Sequence, residues 1–177
     1  MRNLFTPWRY AYLSGGGRSR RCVFCKARDS KDDRSGLVAY RGRHNFVILN
    51  RYPYNSGHLM IAPNEHVSSL ARSSPAQLRE MMLLAARCER ALRRIYRMDG
   101  LNLGMNLGET AGAGILGHFH LHLVPRWKGD TNFMTVVGST RVTPELLQDT
   151  FQKVFTQLRR PLKPGSKPAR PLRRKAS

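Results

Sequence analysis

Short stretches in which apolar residues alternate with polar ones, or run together between turn residues, predict β-strands. Such stretches occur at residues 37–41, 46–50, 59–62, 101–107 and 117–127. A tight turn at 42–45 joins the first two, and a glycine-rich turn at 108–114 leads into the last. Because strands joined by short turns pair antiparallel, the pattern predicts an antiparallel sheet of about five strands.

A three- to four-residue apolar period after Ser74 predicts a long helix. Ser74 is the expected N-cap, Pro75 the first helical residue, and Gln77 the second half of a capping box. Gly100 is the expected stop. The apolar face comprises Leu78, Met81, Ala85, Cys88, Leu92 and Ile95. Arginines fill much of the remaining surface, which we interpret as a solvated face.

A second helix is predicted to open at 143–145, with Leu147, Phe151, Val154 and Leu158 on its apolar face. Strands combined with two helices that do not alternate with them place the chain in the α+β class. Residues 26–35 are expected to be loop. We expect an N-terminal segment over 1–21, one domain over 22–158, and a disordered tail over 159–177, which is rich in Pro, Lys and Arg.

Charge adds a constraint on partners. The 177 residues carry a formal net charge of +20, and the tail over 159–177 holds basic residues and no acid. Such a field attracts polyanions, including nucleotides, nucleic acid and anionic lipid. The first twelve residues contain no continuous apolar run, and no stretch approaches the roughly 20 apolar residues of a membrane span. We therefore expect a cytoplasmic protein with no membrane partner.

Three histidines in the last predicted strand are the chain's most unusual chemical feature. His118, His120 and His122 alternate with apolar residues, so their rings share one face of a strand. Imidazoles in a row do not stabilise a core, and they are typical of a site that handles a phosphate or a metal. An ordinary imidazole pKa of about 6.5 leaves much of each ring neutral and nucleophilic at pH 7.

The motif His-Phe-His-Leu-His-Leu-Val at 118–124 resembles the histidine-triad (HIT) motif, in which histidines alternate with apolar residues. The resemblance covers about 22–155. The flanking residues look most like the bacterial diadenosine-tetraphosphate phosphorylase (ATP adenylyltransferase) or hydrolase-like branch. It implies a HIT-like fold, a homodimer, and a nucleotidyl transferase or hydrolase that cleaves dinucleoside polyphosphates through a nucleotidyl-histidine intermediate.

The resemblance also implies roles for individual residues. His120 corresponds to the nucleophile that attacks the α-phosphate, and His122 to the third histidine of the motif, which contacts phosphate or orients the nucleophile. His58 corresponds to a remote fourth histidine near the phosphates. Asn50 matches a ribose-contacting asparagine, and Asn106 matches a polar residue near the phosphates.

One departure from the family pattern lies just before the motif. Many relatives have a Ser or Gln there that contacts phosphate or the leaving group, whereas this chain has Ala113-Gly114-Ile115. Backbone N–H groups from Gly112 to Ile115 are candidate replacements, including those of Gly112, Gly114 and Ile115 themselves. Phosphorolysis and hydrolysis therefore both stay open.

The pair Cys22 and Cys25 is open to several interpretations. A C-x-x-C pair can hold a metal, act in redox chemistry or occur by accident, and a thioredoxin-like redox pair should open a helix in a βαβ unit, which the pattern does not indicate. Together with His66 and His118 it resembles the structural zinc site of galactose-1-phosphate uridylyltransferase. The alternative is two free thiols and a solvated His66.

Two other functions stay open. One is hydrolysis of a nucleoside phosphoramidate, an AMP-amine. The other is a nucleic-acid-binding or nucleotide-sensing protein that uses the basic tail, since Lys- and Arg-rich tails bind nucleic acid without sequence preference. The tail is equally consistent with a solvated appendage.

Overall fold

The computed structural model describes residues 21–130 and 145–161, whose strands form one antiparallel sheet. The strands are β1 (Val38–Arg41), β2 (Asn45–Leu49), β3 (Leu59–Pro63), β4 (Gly100–Gly104) and β5 (Leu121–Arg126). Their order in the sheet is β1-β2-β3-β5-β4. Every pairing of neighbours is antiparallel, so the predicted sheet of about five strands is confirmed.

Two longer helices cover the sheet. The helices are α1 (Val23–Asp29), α2 (Pro75–Tyr96) and α3 (Leu147–Arg159), with a 3₁₀ turn at Leu70–Arg72. The helix α2 packs on β2 and β3, α3 packs on β1, and α2 and α3 contact each other. The core lies between these helices and the sheet, which confirms the predicted α+β class with a long helix and a C-terminal helix.

The centre of the sheet is the most buried part of the fold. Every residue of β2 and β3 is buried, whereas β5 alternates buried and half-buried positions. In the register, His122 of β5 lies opposite Met60 of β3 and Gly104 of β4. A polar ring is therefore held in the middle of a rigid sheet, between two paired neighbours.

The strand that carries the histidines is shorter than predicted. It begins at Leu121, so His118 and His120 precede it. The chain is held there by a bond outside the ladder, because the backbone N–H of Phe119 donates to the carbonyl of Val67 at 2.9 Å. Two other strands also differ from the prediction: β2 is shifted by one residue, and β4 ends at Gly104.

Helix α1 lies where loop was predicted, over residues 26–29 in particular. The Arg41 guanidinium holds it from outside, donating to the carbonyls of Ala27, Arg28 and Ser30 at its C-terminal end. Seven residues make only two turns, too few for a periodic signal, and the bonds from β1 stabilise the helix instead.

The observed ends of the two longer helices differ from the predicted ones. The Ser74 side chain accepts from the Gln77 N–H, as predicted, but the Gln77 Oε1 has no partner, so the capping box is half formed. The stop is Arg97 in the left-handed conformation, not Gly100, which opens β4. Helix α3 starts at Leu147 rather than at 143–145, of which 143 and 144 lie outside the described residues.

The arginines of α2 were predicted to form a solvated face, but some of them make specific contacts. Arg87 lies 4.4 Å from the centre of the Tyr40 ring and donates to the carbonyl of Leu158, joining α2 to β1 and α3. Arg93 pairs with Glu89 at 3.0 Å. Arg87 therefore links α2 to two other elements, whereas Arg93 is paired within α2.

Among residues 21–130 and 145–161, no helix is both long enough and apolar enough to cross a lipid bilayer. The predicted N-terminal segment lies outside the described residues up to position 20, and the predicted tail lies outside them from position 162.

Arg97→Gly is expected to raise the free energy of unfolding by up to about 1 kcal/mol, because a side chain in the left-handed region is strained and glycine is not. Arg97 adopts φ 49° and ψ 39° at the end of α2. Arg94→Gly, inside the same helix, is the matched control and should lower stability by about 1 kcal/mol. Urea unfolding of both variants checks the prediction, and equal losses would contradict it.

Candidate functional site

Three of the predicted site histidines form a connected group. The Nε2 of His58 lies 2.9 Å from the Nδ1 of His122, and the ring centres of His120 and His122 are 4.7 Å apart. His58 comes from the start of the segment entering β3, and His122 from β5, which pairs with β3. The structure therefore brings together residues 64 positions apart, as the resemblance implied.

The fixed partners of these rings define where each proton sits. The backbone N–H of Tyr54 donates to His58 Nδ1 at 3.0 Å, so the His58 proton is on Nε2 and is donated to His122 Nδ1. His122 then carries its own proton on Nε2. His120 Nδ1 donates to the carbonyl of His118 at 3.2 Å, which leaves the lone pair on His120 Nε2.

Burial keeps these imidazoles neutral. It lowers the pKa of His58 to about 3, with smaller contributions from His122 and His120. Burial is the main cause that lowers the pKa of His122 to about 4, and the charge of the nearby His120 ring is the smaller one. The pKa of His120 is also lowered by burial, against the opposing effect of its bond to the His118 carbonyl. Neutral rings with defined donor and acceptor nitrogens are what a nucleophile and its neighbours require.

Asn50 lies against the histidine group. Its Oδ1 accepts from the backbone N–H of Tyr52 at 2.9 Å, and its Nδ2 is 3.3 Å from His58 Nδ1. The Tyr54 ring packs against His58 and His122. Its centre is 4.7 Å from that of His58 and 6.0 Å from that of His122. Sequence reasoning missed Tyr54, although an aromatic four residues before the remote histidine was available as a signal.

The glycine-rich turn uses some of its own donors internally. Gly112 has φ +83°, and its N–H donates to the carbonyl of Glu109 at 2.8 Å. Asn106 Nδ2 donates to the carbonyl of Gly112 at 3.3 Å, so Asn106 fixes the turn. The N–H of Ala113 is bonded to Gly108. The predicted phosphate contacts of Gly112, Gly114 and Ile115 stay predictions.

A second cluster lies beside the first and contains the four predicted metal-binding residues. The ligand atoms of Cys22, Cys25, His66 and His118 all lie within 4.8 Å of one another. Cys22 Sγ is 3.5 Å and Cys25 Sγ 3.7 Å from His118 Nδ1, while Cys25 Sγ is 3.3 Å from His66 Nδ1. His66 is thus beside the thiols, and the expectation of a merely solvated ring does not describe it.

Three separations within this cluster, 3.3, 3.5 and 3.7 Å, match those of a tetrahedral zinc site. Bonds of about 2.3 Å to sulfur and about 2.0–2.1 Å to nitrogen place neighbouring ligand atoms roughly 3.3–3.8 Å apart. The Nε2 of His118 donates to the carbonyl of Pro63 at 2.9 Å, which directs the Nδ1 lone pair at the thiols. A carbonyl partner of this kind is typical behind a metal-binding histidine. The residues present therefore fit zinc.

Phe24 connects the two clusters. It lies between the cysteines in sequence, and its ring centre is 5.2 Å from that of His118 and 4.7 Å from that of His120. The cysteine pair does sit at the start of a helix, contrary to the sequence expectation, but all sheet pairings are antiparallel and no βαβ unit occurs among the described residues. The described strands therefore lack the βαβ unit in which a thioredoxin-like redox pair lies.

The third cysteine takes no part in either cluster. Cys88 is fully buried on the apolar face of α2, as predicted, and burial raises the pKa of its thiol to about 12. A thiol of this kind is a packing residue.

Stability is expected to fall on acidification because His58 and His122 have lower pKa values in the folded protein than in the unfolded chain. The unfolded chain takes up protons below about pH 6.5, and folded rings with pKa values of about 3 and about 4 do not. The loss approaches about 1.4 kcal/mol per pH unit for each ring at pH 4–6. Urea unfolding at pH 7.5 and 5.5 checks this. In His58→Asn the drop should be smaller, and an equal drop in both proteins would contradict the assignment.

Comparison with known proteins places this geometry in a family. The HIT domain matches residues 33–129. The chain is similar to an AP-4-A phosphorylase of Mycobacterium tuberculosis, with 36% identity over 165 residues that cover 89% of this chain and 84% of the relative. It is also similar to a bis(5'-nucleosyl)-tetraphosphatase (asymmetrical) of Schizosaccharomyces pombe, with 26% identity over 52% of this chain and 50% of the relative.

A solved structure agrees in fold. A zinc-bound histidine triad family protein from Mycobacterium smegmatis superposes with a TM-score of 0.62 and 28% identity, over 77% of this chain and 92% of that one. With the sheet, the histidine motif and the match over residues 33–129 taken together, the chain belongs to the HIT domain family.

Proposed function

We propose that this protein is a HIT-family enzyme that cleaves dinucleoside polyphosphates, such as diadenosine tetraphosphate, by nucleotidyl transfer through His120. The observation that carries the proposal is the bond from His120 Nδ1 to the His118 carbonyl, which leaves the Nε2 lone pair for attack. The similarity to an AP-4-A phosphorylase and to an asymmetrical tetraphosphatase supports the substrate class.

In the first step, the lone pair of His120 Nε2 attacks the α-phosphorus and forms a P–N bond. The P–O bond to the leaving nucleoside polyphosphate breaks, and its electron pair stays on the departing oxygen. His122 carries its proton on Nε2 and is 4.7 Å from His120, ring centre to ring centre, so it is placed to donate a hydrogen bond to the phosphoryl or leaving oxygen and to stabilise the charge there.

In the second step, water or inorganic phosphate attacks the same phosphorus and the P–N bond breaks. The electron pair of the P–N bond returns to His120 Nε2, and the proton of the attacking water or phosphate is released to solvent. Attack by water gives a nucleoside monophosphate, and attack by phosphate gives a nucleoside diphosphate. The 2.9 Å bond from His58 to His122 Nδ1 fixes the orientation of the His122 ring. The protonated Nε2 of His122 therefore points away from His58. The similarity to a phosphorylase favours phosphate as the acceptor.

The nucleotide contacts follow the same assignment. Asn50 is proposed to contact the ribose, and its position against His58 places it beside the reacting group. Asn106, Gly112, Gly114 and Ile115 are proposed to contact the phosphates. Asn106 would act partly by fixing the turn through the Gly112 carbonyl.

Zinc is the proposed structural cofactor, held by Cys22, Cys25, His66 and His118. When bound, it would cross-link α1 to the segment before β5 and would supply no chemistry to the substrate. The support is the donor set, with ligand atoms within 4.8 Å of one another, and the similarity to a zinc-bound family member.

A homodimer is proposed through the edge of the sheet. Strand β4 pairs only with β5 among the described strands, and its Leu103 is 51% exposed. Met82 and Leu83 of α2 are exposed as well. An uncovered strand edge and exposed apolar side chains are features that a second copy can cover. The catalytic domain is proposed to span 22–158 and to act in the cytoplasm.

Two alternative functions, a second reaction at His120 and nucleic-acid binding, are also open to test. Hydrolysis of a nucleoside phosphoramidate would use the same His120 attack with an amine as the leaving group. Nonspecific nucleic-acid binding is favoured by the +20 charge, to which the tail over 159–177 contributes. A panel of nucleotide substrates, run in water and in phosphate with products identified by mass, separates the first alternative from the proposed reaction.

His120→Asn is expected to lower turnover of diadenosine tetraphosphate by at least about a thousandfold, because the attacking nitrogen is removed. Nucleotide binding should be retained, since the neighbouring contacts remain. Turnover and binding are measured separately, by product formation and by titration calorimetry. Labelled substrate should leave a covalent adduct on the wild-type protein and none on the variant.

The matched control is His44→Asn, a histidine in the β1–β2 turn that is bonded through its backbone N–H and its carbonyl. Its turnover should equal that of the wild-type protein. Undiminished turnover in His120→Asn would exclude His120 from the chemistry.

Cys22→Ser combined with Cys25→Ser is expected to abolish zinc binding, because two of the four proposed ligands are lost. Zinc content per chain, measured by elemental analysis of the purified protein, checks the prediction. Cys88→Ala is the control, since Cys88 is buried on α2 away from the cluster, and it should keep full zinc content. Unchanged zinc in the double variant would exclude this site.

A further inference from the structure

We infer that Gly117 is a positioning residue of the metal site, because only a residue without a side chain there lets His66 place its Nδ1 beside the thiols. The inference rests on the zinc site proposed above. It adds a residue that neither binds the metal nor carries polar side-chain chemistry.

The first observation is steric. A Cβ added at Gly117 would lie 2.8 Å from His66 Nε2 and 3.4 Å from His66 Cε1. The shorter distance is below ordinary van der Waals contact, so the imidazole would have to move. The obstruction faces the ring edge that carries Nε2, which is opposite the edge directed at the cysteines.

The second observation is that the His66 ring, although exposed, would leave its place in the cluster if it moved. His66 Nδ1 is 3.3 Å from Cys25 Sγ, and its ring centre is 5.1 Å from that of His118, edge to face. The backbones around the two histidines are tied directly, since the Phe119 N–H donates to the Val67 carbonyl at 2.9 Å. Displacing the ring from Gly117 therefore changes its distance to the thiols.

The third observation is that glycine is not required by the backbone. Positive φ values among the described glycines occur at Gly57, Gly108, Gly112 and Gly129. Gly117 is outside that set, so an alanine there has no conformational penalty of its own. The need for glycine at this position comes from the approach of His66.

These contacts also assign the metal-binding nitrogen of each histidine. His66 turns Nε2 to Gly117 and Nδ1 to the thiols. His118 donates from Nε2 to the Pro63 carbonyl and presents Nδ1. Both imidazoles would bind the metal through Nδ1. In His66 the lack of space at Gly117 favours this nitrogen, and in His118 the hydrogen bond to Pro63 does so.

The test compares zinc affinity in the wild-type protein and in Gly117→Ala, using a chromophoric chelator as competitor. We expect the affinity to fall by about tenfold to a hundredfold, the range seen when residues that orient metal ligands are altered. Cobalt(II) is the second probe, and its tetrahedral absorption bands should weaken or shift in the variant. The control is Gly100→Ala, whose Cβ would be 3.8 Å from its nearest neighbour, and its affinity should be unchanged.

A background without the ring separates local obstruction from general damage. In His66→Ala, adding Gly117→Ala should change neither zinc affinity nor the urea midpoint of the metal-free protein, because the obstructed group is gone. In the wild-type background the same substitution should lower both. Equal effects in the two backgrounds would overturn the inference.

The outcomes separate this inference from the proposals on which it rests. Wild-type affinity in Gly117→Ala, with zinc bound normally, would overturn the role of Gly117 alone. A wild-type protein that binds no zinc would overturn the metal site and this inference together. Neither readout depends on nucleotide cleavage, so failure of the proposed reaction would be recognised separately.

Discussion

A neutral imidazole has one donor and one acceptor nitrogen, and the rest of the site depends on which of the two is already bonded. His118 donates to the Pro63 carbonyl, so its other nitrogen faces the thiols. His120 donates to the His118 carbonyl, so its other nitrogen carries a lone pair. His58 accepts from the Tyr54 N–H and therefore donates to His122. A backbone group thus sets the chemistry of each ring directly or through its neighbour.

Backbone groups can do this because the sheet holds them rigidly. Strands β3 and β5 pair side by side, and His58 and His122 lie at or beside this pairing. Burial adds the second requirement, since it lowers the pKa of the His58 and His122 rings and keeps them neutral. A charged imidazole would offer two donors and no acceptor, and the chain of hydrogen bonds would be broken.

His118 links the two clusters. Its ring faces the cysteines, its carbonyl fixes His120, and Phe24 packs on both rings. Helix α1 carries Phe24 and Cys25 together and is held from outside by Arg41. The cysteine–histidine cluster and the His120 ring are therefore linked directly, through the His118 carbonyl and the Phe24 ring.

Spacing along the chain determined much of this protein by itself. Alternation identified the strands, the three-to-four-residue period identified α2 and α3, and the motif at 118–124 identified the histidines, because these signals are local. Tertiary structure alone decided the rest. The chain before β5 bonds to Val67 instead of to a strand, α1 forms because Arg41 binds its carbonyls, and α2 ends at Arg97. The tautomers of His118 and His122 and the close approach of His66 to Gly117 were equally hidden, because each depends on an atom of a residue distant in sequence. No pattern of neighbouring residues encodes such a distance.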